Sequence, residues 1–258
     1  MEYNNDTVKK LYYGDSLVNI AVTTGGNGLP ANLSSWTYDD YGSPITLVVK
    51  NGVTSIPSNW QNFNKSLTNI AIPNSVTTFG DSALANIGKS QNYVDISNID
   101  FSSATTIGSG FLMNSYITGS ITIPYSVLSG ATSGYSTTNC YQMFYGAYTS
   151  GLTINVYANG AVIPRYCFSF SNSLTYSDGL NITIYGTPTF LSYSCFCCSS
   201  GGTVTFANCT TPPNYDSSSA YSNPFYNFKG TLYVPSAGLT AWKNKYTTIA
   251  DQIKAIGT

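Results

Sequence analysis

A short triplet of the form apolar-x-apolar recurs eight times along this 258-residue chain. The first residues of successive triplets lie 23, 24, 27, 33, 28, 22 and 28 residues apart. The triplets are Leu47-Val48-Val49, Ile70-Ala71-Ile72, Val94-Asp95-Ile96, Ile121-Thr122-Ile123, Ile154-Asn155-Val156, Ile182-Thr183-Ile184, Val204-Thr205-Phe206 and Leu232-Tyr233-Val234. Self-similarity at such a period is typical of solenoids, in which each repeat is one structural unit. The spacing therefore predicts a stack of short strands.

A second element, the return segment, recurs between the triplets and places a turn residue before a bulky apolar pair. Its copies are SIPSNWQNF (55–63), TFGDSALANI (78–87), TIGSGFLMN (106–114), NCYQMFYGA (139–147), VIPRYCFSFS (162–171) and FLSYSCFCCSS (190–200). A three-residue strand with a short curled return cannot bury its apolar side alone and is stabilised by stacking on its neighbours. We therefore predict a mainly β solenoid of short parallel strands.

Several of these strings resemble the BspA-like class of leucine-rich repeat. They are ITIPYSV, IAIPNSVTTFGDSALAN and TIGSGF, and the likeness covers about residues 44 to 258. The ending GTLYVPSAGLTAWKNKYTTIADQIKAI is similar to the cap that closes such arrays, a last strand followed by a short amphipathic helix. We expect an N-terminal β segment over 1–28, a BspA-like solenoid over 29–230, and a capping strand and helix over 231–258.

The strand triplets should present alternate residues to the core and to the outside, because side chains in a strand alternate between faces. The expected core residues are Ile70, Ile72, Ile121, Ile123, Ile182 and Ile184. The expected outer file, our candidate ligand-facing set, is Asp95, Thr122, Asn155, Thr183, Thr205 and Tyr233. This file is either a solvated face of good strand formers or a row of polar groups that suits sugar rings.

A loop rich in Pro and Ser spans residues 210–224 and precedes the predicted cap. Its composition indicates an enlarged connection between two repeats. Tyr215 and Tyr221 within it are expected to be exposed, which makes them further candidate contact residues.

The chain lacks the residue types that most enzyme sites need. It has no histidine and its only glutamate is Glu2, which removes Ser-His-Asp and Cys-His sites, His-containing zinc sites and Glu-based acid–base pairs. Aspartate pairs remain at 39–40 or at Asp95 and Asp100, but loop aspartates more often form turns or helix caps. We expect no enzymatic activity and no cofactor.

Charge is sparse, since charged residues make up only 8% of the chain against roughly 25% in typical soluble domains. Ten Lys and Arg face eleven Asp and Glu, so no basic stripe is available to bind a nucleic-acid backbone. No run reaches the roughly 18 apolar residues that a membrane helix needs. Nucleic acid and membrane are therefore not expected partners.

The densest cluster of reactive side chains is SYSCFCCSS, which holds Cys195, Cys197 and Cys198. Cys195 and Cys198 have the Cys-x2-Cys spacing of thiolate zinc sites, to which Cys209 could add a third sulfur. In BspA-like repeats, however, cysteine at the position of Cys198 is a core residue, and Cys167 and Cys195 occupy places that take Ala. Free cysteine packs as a small hydrophobe, so a core role is favoured over a metal site or a disulfide.

The N-terminal segment does not match the repeat. VKKLYYGDSLVNIAV indicates two short strands around Gly14-Asp15, a hairpin that must pack on something. The hairpin either caps the first repeat or anchors the chain, with Leu11, Tyr12, Tyr13, Leu17 and Val18 as the candidate anchor residues. The glycine-rich GGNG at 25–28 is best interpreted as a hinge.

Short openings of the form K-x-Y-x-G-D/S-x-x-V resemble those of phage tail and head accessory proteins. The likeness implies a virion protein, joined to other virion proteins through its N-terminal segment, with the solenoid displayed to bind glycan or protein on a cell surface. No Sec signal opens the chain, which agrees with a protein made in the host cytoplasm. The alternative is a bacterial surface adhesin or protein-interaction module. We expect a homo-oligomer, since a solenoid can pair through its end strand and virion proteins are usually present in many copies.

Overall fold

The computed structural model describes residues 3–4, 7–8, 12–13, 16–17, 33–38, 44–60, 67–133, 139–170, 177–197, 201–218 and 222–257. Its twenty strands, in chain order, are β1 Tyr3–Asn4, β2 Thr7–Val8, β3 Tyr12–Tyr13, β4 Ser16–Leu17, β5 Leu33–Tyr38, β6 Pro44–Val49, β7 Ser55–Ile56, β8 Asn69–Ile72, β9 Thr78–Phe79, β10 Val94–Ile99, β11 Thr106–Ile107, β12 Tyr116–Ile123, β13 Tyr148–Tyr157, β14 Val162–Ile163, β15 Ser177–Asp178, β16 Asn181–Tyr185, β17 Phe190–Leu191, β18 Thr203–Phe206, β19 Thr231–Val234 and β20 Ile253–Ala255.

One long sheet dominates these described ranges. Its strand order is β5-β6-β8-β10-β12-β13-β16-β18-β19-β20, with β15 also paired to β13. Every pair from β6 to β20 is parallel, and β5 joins β6 antiparallel at one end. Because each strand pairs with the strand of the next repeat, the chain advances by one turn per repeat. The prediction of a mainly β stack of short parallel strands is confirmed.

The core lies between this sheet and the return segments. The flanking residues of the triplets are buried as predicted: Ile70, Ile72, Ile121, Ile123, Ile182 and Ile184 are all at most 3% exposed. Large side chains of the return segments face them, among them Phe79, Phe111, Phe144, Phe168 and Phe196, each fully buried. Each turn therefore closes its core with one sheet strand and one return segment.

The return segments also stack on one another. Short parallel pairs form in the order β7-β9-β11, and β14 pairs with β17. Between these pairs, backbone amides donate to the next turn, as Leu84 N does to Phe111 O at 2.9 Å and Phe168 N does to Cys195 O at 2.8 Å. The backbone of each return is thereby satisfied without a continuous strand.

Glycine follows the apolar residue in two return segments because consecutive turns approach closely there. A Cβ on Gly108 would lie 2.6 Å from the carbonyl carbon of Gly80 and 2.6 Å from Asp81 Oδ1. Both distances are shorter than a real Cβ contact. The Phe-Gly and Ile-Gly steps that marked the repeat in the sequence are thus places where only a glycine fits.

The N-terminal strands form two hairpins. Tyr12 pairs with Leu17 and Tyr13 with Ser16, which confirms the hairpin predicted around the Gly14-Asp15 step. A second antiparallel pair, β1 with β2, precedes it and was not foreseen from the sequence. Leu11 and Val18, two of the candidate anchor residues, lie outside the described residues, and Tyr12, Tyr13 and Leu17 are described in their backbone pairing.

Helix is confined to short pieces of the described chain. Helix α1 spans Tyr125–Leu128, and helix α2 spans Leu239–Lys245 between two 3-10 segments, Ser236–Gly238 and Thr247–Gln252. None of the described helices has the length and apolar character needed to cross a membrane.

The C-terminal strand and helix form as predicted. The Trp242 indole Nε1 donates to the Cys209 carbonyl at 2.9 Å, and the Tyr246 hydroxyl donates to the Pro213 carbonyl at 2.9 Å. The chain does not end on the helix, however. Ile253–Ala255 returns to the sheet as β20 and pairs parallel with β19, so the cap contributes the edge strand as well.

Candidate functional site

Five of the six residues predicted to form an outer file do lie in one row across the sheet. Thr122 is opposite Asn155, Asn155 opposite Thr183, Thr183 opposite Thr205, and Thr205 opposite Tyr233. Thr122 is exposed and the other four are half-buried. The row continues to Lys254 on β20. It offers hydroxyl, amide and phenol groups in a line.

Asp95 does not belong to that row, which corrects the sequence prediction. Asp95 is opposite Asn69 on one side and Thr118 on the other, whereas Asn98 is opposite Ala71. The cause is a bulge in β10, which places three residue steps against two on β8. The middle residue of the 94–96 triplet therefore does not pair with the middle residue of the triplet on β8 or on β12.

Asp95 and Asp100, one of the two aspartate pairs considered for catalysis, both hold turns, and the other pair, Asp39 and Asp40, lies outside the described residues. Asp95 Oδ1 accepts the Ser97 amide at 2.9 Å, and Asp100 Oδ1 accepts the Ser102 amide at 2.8 Å. A cleft of about 430 Å³ at this end of β10 and β12 is lined by Asp100 and Thr122, without Asp95. Each carboxylate thus accepts the backbone amide two residues later and closes an Asx turn, which is the role that loop aspartates most often have.

The loop tyrosines also differ from expectation. Tyr215 is half-buried, and its ring centroid lies 5.3 Å from that of the buried Tyr246. It packs against the core and does not stand out as an exposed contact residue. Tyr221 lies outside the described residues.

The described cysteines are core residues. Cys140, Cys167, Cys195, Cys197 and Cys209 are buried free thiols. Burial raises the pKa of Cys167 and Cys195 well above the ordinary value, and burial raises the pKa of Cys209 to about 11. Within the described ranges, no three His, Cys, Asp or Glu side chains come together as a metal site. Cys198 lies outside those ranges.

A groove that the sequence did not reveal lies along the return segments and reaches Tyr148, the first residue of β13. Five tyrosines line it: Tyr145, Tyr148, Tyr166, Tyr193 and Tyr226. Its volume is about 410 Å³. We call it the tyrosine groove.

The stacking of return segments brings these tyrosines together. Gln142 N donates to Arg165 O at 3.1 Å, and Tyr166 N donates to Tyr193 O at 3.3 Å, so three successive turns are joined at the groove. Tyr166 has a φ of 53°, a left-handed conformation in the bend of its return segment. Such a φ is uncommon outside glycine and is sustained here by the surrounding ladder.

The rings form an edge-to-face chain. The Tyr145 and Tyr166 centroids are 5.4 Å apart at 74°, and the Tyr166 and Tyr193 centroids are 5.2 Å apart at 70°. The Arg165 guanidinium lies 5.4 Å from the Tyr193 ring centroid. These contacts are within the range of favourable aromatic and cation–π geometry, so the rings hold one another in place.

The remaining described lining of the tyrosine groove is uncharged and mixes the apolar Phe170 and Cys197 with polar side chains. Asn114, Asn227, Ser169 and Ser194 contribute amide and hydroxyl groups, and none of the described residues that line the groove is charged. The Ser194 hydroxyl is buried and has no hydrogen-bond partner among the described residues. Burial raises the pKa of Tyr166 above its ordinary value, so its hydroxyl stays neutral. The groove can therefore offer aromatic faces together with neutral donors and acceptors.

A signal for this groove was present in the sequence. A tyrosine stands directly before the buried pair in Tyr166-Cys167-Phe168, and Tyr193 stands two residues before Cys195 in the next return segment. In the strand triplets, the two-residue alternation separates inward from outward side chains. The curled returns have no simple period that separates inward from outward residues.

No protein-family model matches this chain, and no curated protein matches it in sequence. The class of this protein is therefore given by its fold. It is a mainly β protein whose long sheet of short parallel strands is consistent with a parallel β solenoid, closed at its C-terminal end by a short helix.

Proposed function

We propose that this chain is a non-enzymatic binding protein of the BspA-like leucine-rich-repeat type that recognises uncharged carbohydrate on a surface. The observation that carries the proposal is the tyrosine groove, in which five tyrosines line one cleft that has no charged residue among its described lining. Aromatic rings with a few placed polar groups are the usual composition of small-molecule sites of this volume.

The chemistry of the groove fits a sugar. The apolar C–H face of a pyranose packs on an aromatic ring, while its hydroxyls need uncharged donors and acceptors at the rim. Tyr145 is 41% exposed and offers such a face, and Asn114 and Asn227 offer amides beside it. The polar row from Thr122 to Tyr233, on the strands of the long sheet, is a second uncharged surface.

The same proposal places the protein on a phage particle, with residues 1–28 joined to other virion proteins and the solenoid displayed. The likeness of the N-terminal opening to phage accessory proteins supports this placement. Mass spectrometry of purified particles should detect the chain at many copies per particle. Its absence from the particles would move the protein to the alternative, an adhesin on a bacterial surface.

Binding is tested on a glycan array that carries neutral and acidic glycans, followed by calorimetry on the hits. We expect neutral glycans to bind and Tyr145→Ala and Tyr193→Ala each to weaken binding at least tenfold. Tyr125→Ala removes a tyrosine that is 49% exposed and lies outside the groove, so it should bind like the wild type. An array without hits, or equal losses in all three variants, would contradict the proposal.

A further inference from the structure

We infer that the tyrosine groove takes a linear, neutral, β-1,4-linked oligosaccharide laid along the stacking axis, with one sugar unit for each turn. This inference rests on the proposed function and names the form of its ligand. It follows from the continuation of the groove, the repeat of its lining and the distribution of charge.

The groove does not end at the last return segment. A second groove of about 560 Å³ shares Tyr226 and Asn227 with the first and continues over Phe228, Thr248 and Gln252. Its far side belongs to the capping region after α2, where Gln252 Nε2 donates to Phe228 O at 3.0 Å. The two grooves together run from Asn114 to the cap, which is too long for a single sugar.

The lining repeats once per turn. Tyr145, Tyr166 and Tyr193 come from three consecutive return segments, and Tyr226 comes from the equivalent connection between β18 and β19. These segments are linked by the amides of Gln142, Tyr166 and Ser194, which donate to the next turn. Paired strands lie about 4.7–4.9 Å apart. A pyranose unit in an extended chain advances by a similar length, so one tyrosine is available for each sugar.

The geometry favours the β-1,4 linkage among neutral chains. Equatorial bonds on both sides of the ring give a straight ribbon, whereas α-1,4 linkages curl the chain away from a straight row of sites. The only charged residue that lines either groove, within the part of the chain described, is Lys229 in the second groove. A neutral chain therefore brings no charge of its own into either groove, and among the described lining residues it meets one charge, that of the exposed Lys229.

The test measures affinity against chain length. Oligomers of one to six units are titrated by calorimetry in three neutral β-1,4 series: glucose, mannose and N-acetylglucosamine. In the series that binds, we expect Kd to fall at each step from one to four units, with at least a hundredfold difference between the monomer and the tetramer. The α-1,4 glucose oligomers of the same lengths are the matched control and should bind at least tenfold more weakly.

Two variants locate the chain on the protein. Tyr193→Ala should weaken oligomers of every length from two units upward, whereas Tyr226→Ala should reduce the gain between the dimer and the hexamer. Circular dichroism checks that both variants keep the fold.

The outcomes separate the inference from the proposed function. Equal Kd values for monomer and hexamer in a series that binds would overturn the inference and leave the proposed function standing. Array hits confined to α-linked or branched glycans would do the same. Failure of every oligomer, together with an empty array, would overturn both.

Discussion

The ring of Phe168 lies nearly parallel to the ring of Phe196 in the next turn, with centroids 5.4 Å apart and 12° between their planes. The same contact is made by Phe196 with Phe225, at 5.4 Å and 12°, and by Phe144 with Phe168, at 5.9 Å and 20°. Four turns thus share one column of stacked rings inside the core. Because each ring packs on its equivalents above and below, the column fixes the register between turns.

The column predicts a large loss of stability on Phe168→Ala. Phe168 is fully buried between two rings, and Phe→Ala in a core typically costs about 3–5 kcal/mol through lost burial and the cavity left behind. Chemical denaturation followed by circular dichroism measures the free energy of unfolding. Tyr157→Ala, at a residue that is 49% exposed and stacked on Tyr185, is the control and should cost far less.

Gly108→Ala is predicted to destabilise the stack, although its backbone does not require a positive φ. The added methyl would lie 2.6 Å from the Gly80 carbonyl carbon and from Asp81 Oδ1. Because the Gly80 carbonyl carbon belongs to the backbone, it cannot move aside as the end of a flexible side chain could. Overpacking of this kind costs about 1–3 kcal/mol. At Gly130 the nearest atom to the same methyl is 3.7 Å away, so Gly130→Ala should be neutral or slightly stabilising. Thermal unfolding of the two variants compares them, and equal melting temperatures would refute the close approach.

Ser115 joins two turns through its hydroxyl and is predicted to be sensitive to alanine. Its Oγ donates to Leu84 O at 2.9 Å and accepts the Ile87 amide at 3.2 Å, all in a buried setting. Ser115→Ala removes the partner of both backbone groups, which typically costs about 1–3 kcal/mol for each buried group left unsatisfied. Denaturant titration should show that loss, while alanine at the exposed Ser103 changes stability little.

The buried thiols are predicted to resist alkylation in the folded protein. Since burial raises the pKa of Cys167 and Cys195, the reactive thiolate is scarce at pH 8, and the reagent also has no access to the core. Peptide mapping after treatment with iodoacetamide should find both residues unlabelled in native protein and fully labelled in guanidinium chloride. Labelling that fails even after denaturation, and is restored by reductant, would indicate a disulfide instead.

Much of the fold was readable in the sequence because the strand triplets have a strict alternation. Ile70 and Ile72 are buried and Ala71 is not, as period two requires. The hairpin flanking Gly14-Asp15 and the helix that follows β19 were likewise signalled by local residues. Each of these features is determined by residues only a few positions apart in the sequence, so a local sequence pattern is enough to predict it.

The misassigned features depend on pairing between turns. The run Val94 to Ile99 buries Val94, Ile96 and Ile99, so its sequence fits more than one triplet. Only the partners on β8 and β12 select the register, and that choice removes Asp95 from the outer row. Tyr215 was expected to be exposed because its loop is polar, but Tyr246 provides an aromatic surface from 31 positions away, on which the ring packs.

The stack of short parallel strands follows from the sequence alone, because the apolar residues alternate within triplets that recur at solenoid spacing and cannot be buried singly. A surface poor in charge follows from the composition as well. The position of the tyrosine groove, in contrast, depends on how the turns stack. Tyr145, Tyr166, Tyr193 and Tyr226 are separated by 21 to 33 residues along the chain, yet they line one groove because each turn lies directly on the last. A site made of equivalent positions in successive turns exists only once those turns are stacked.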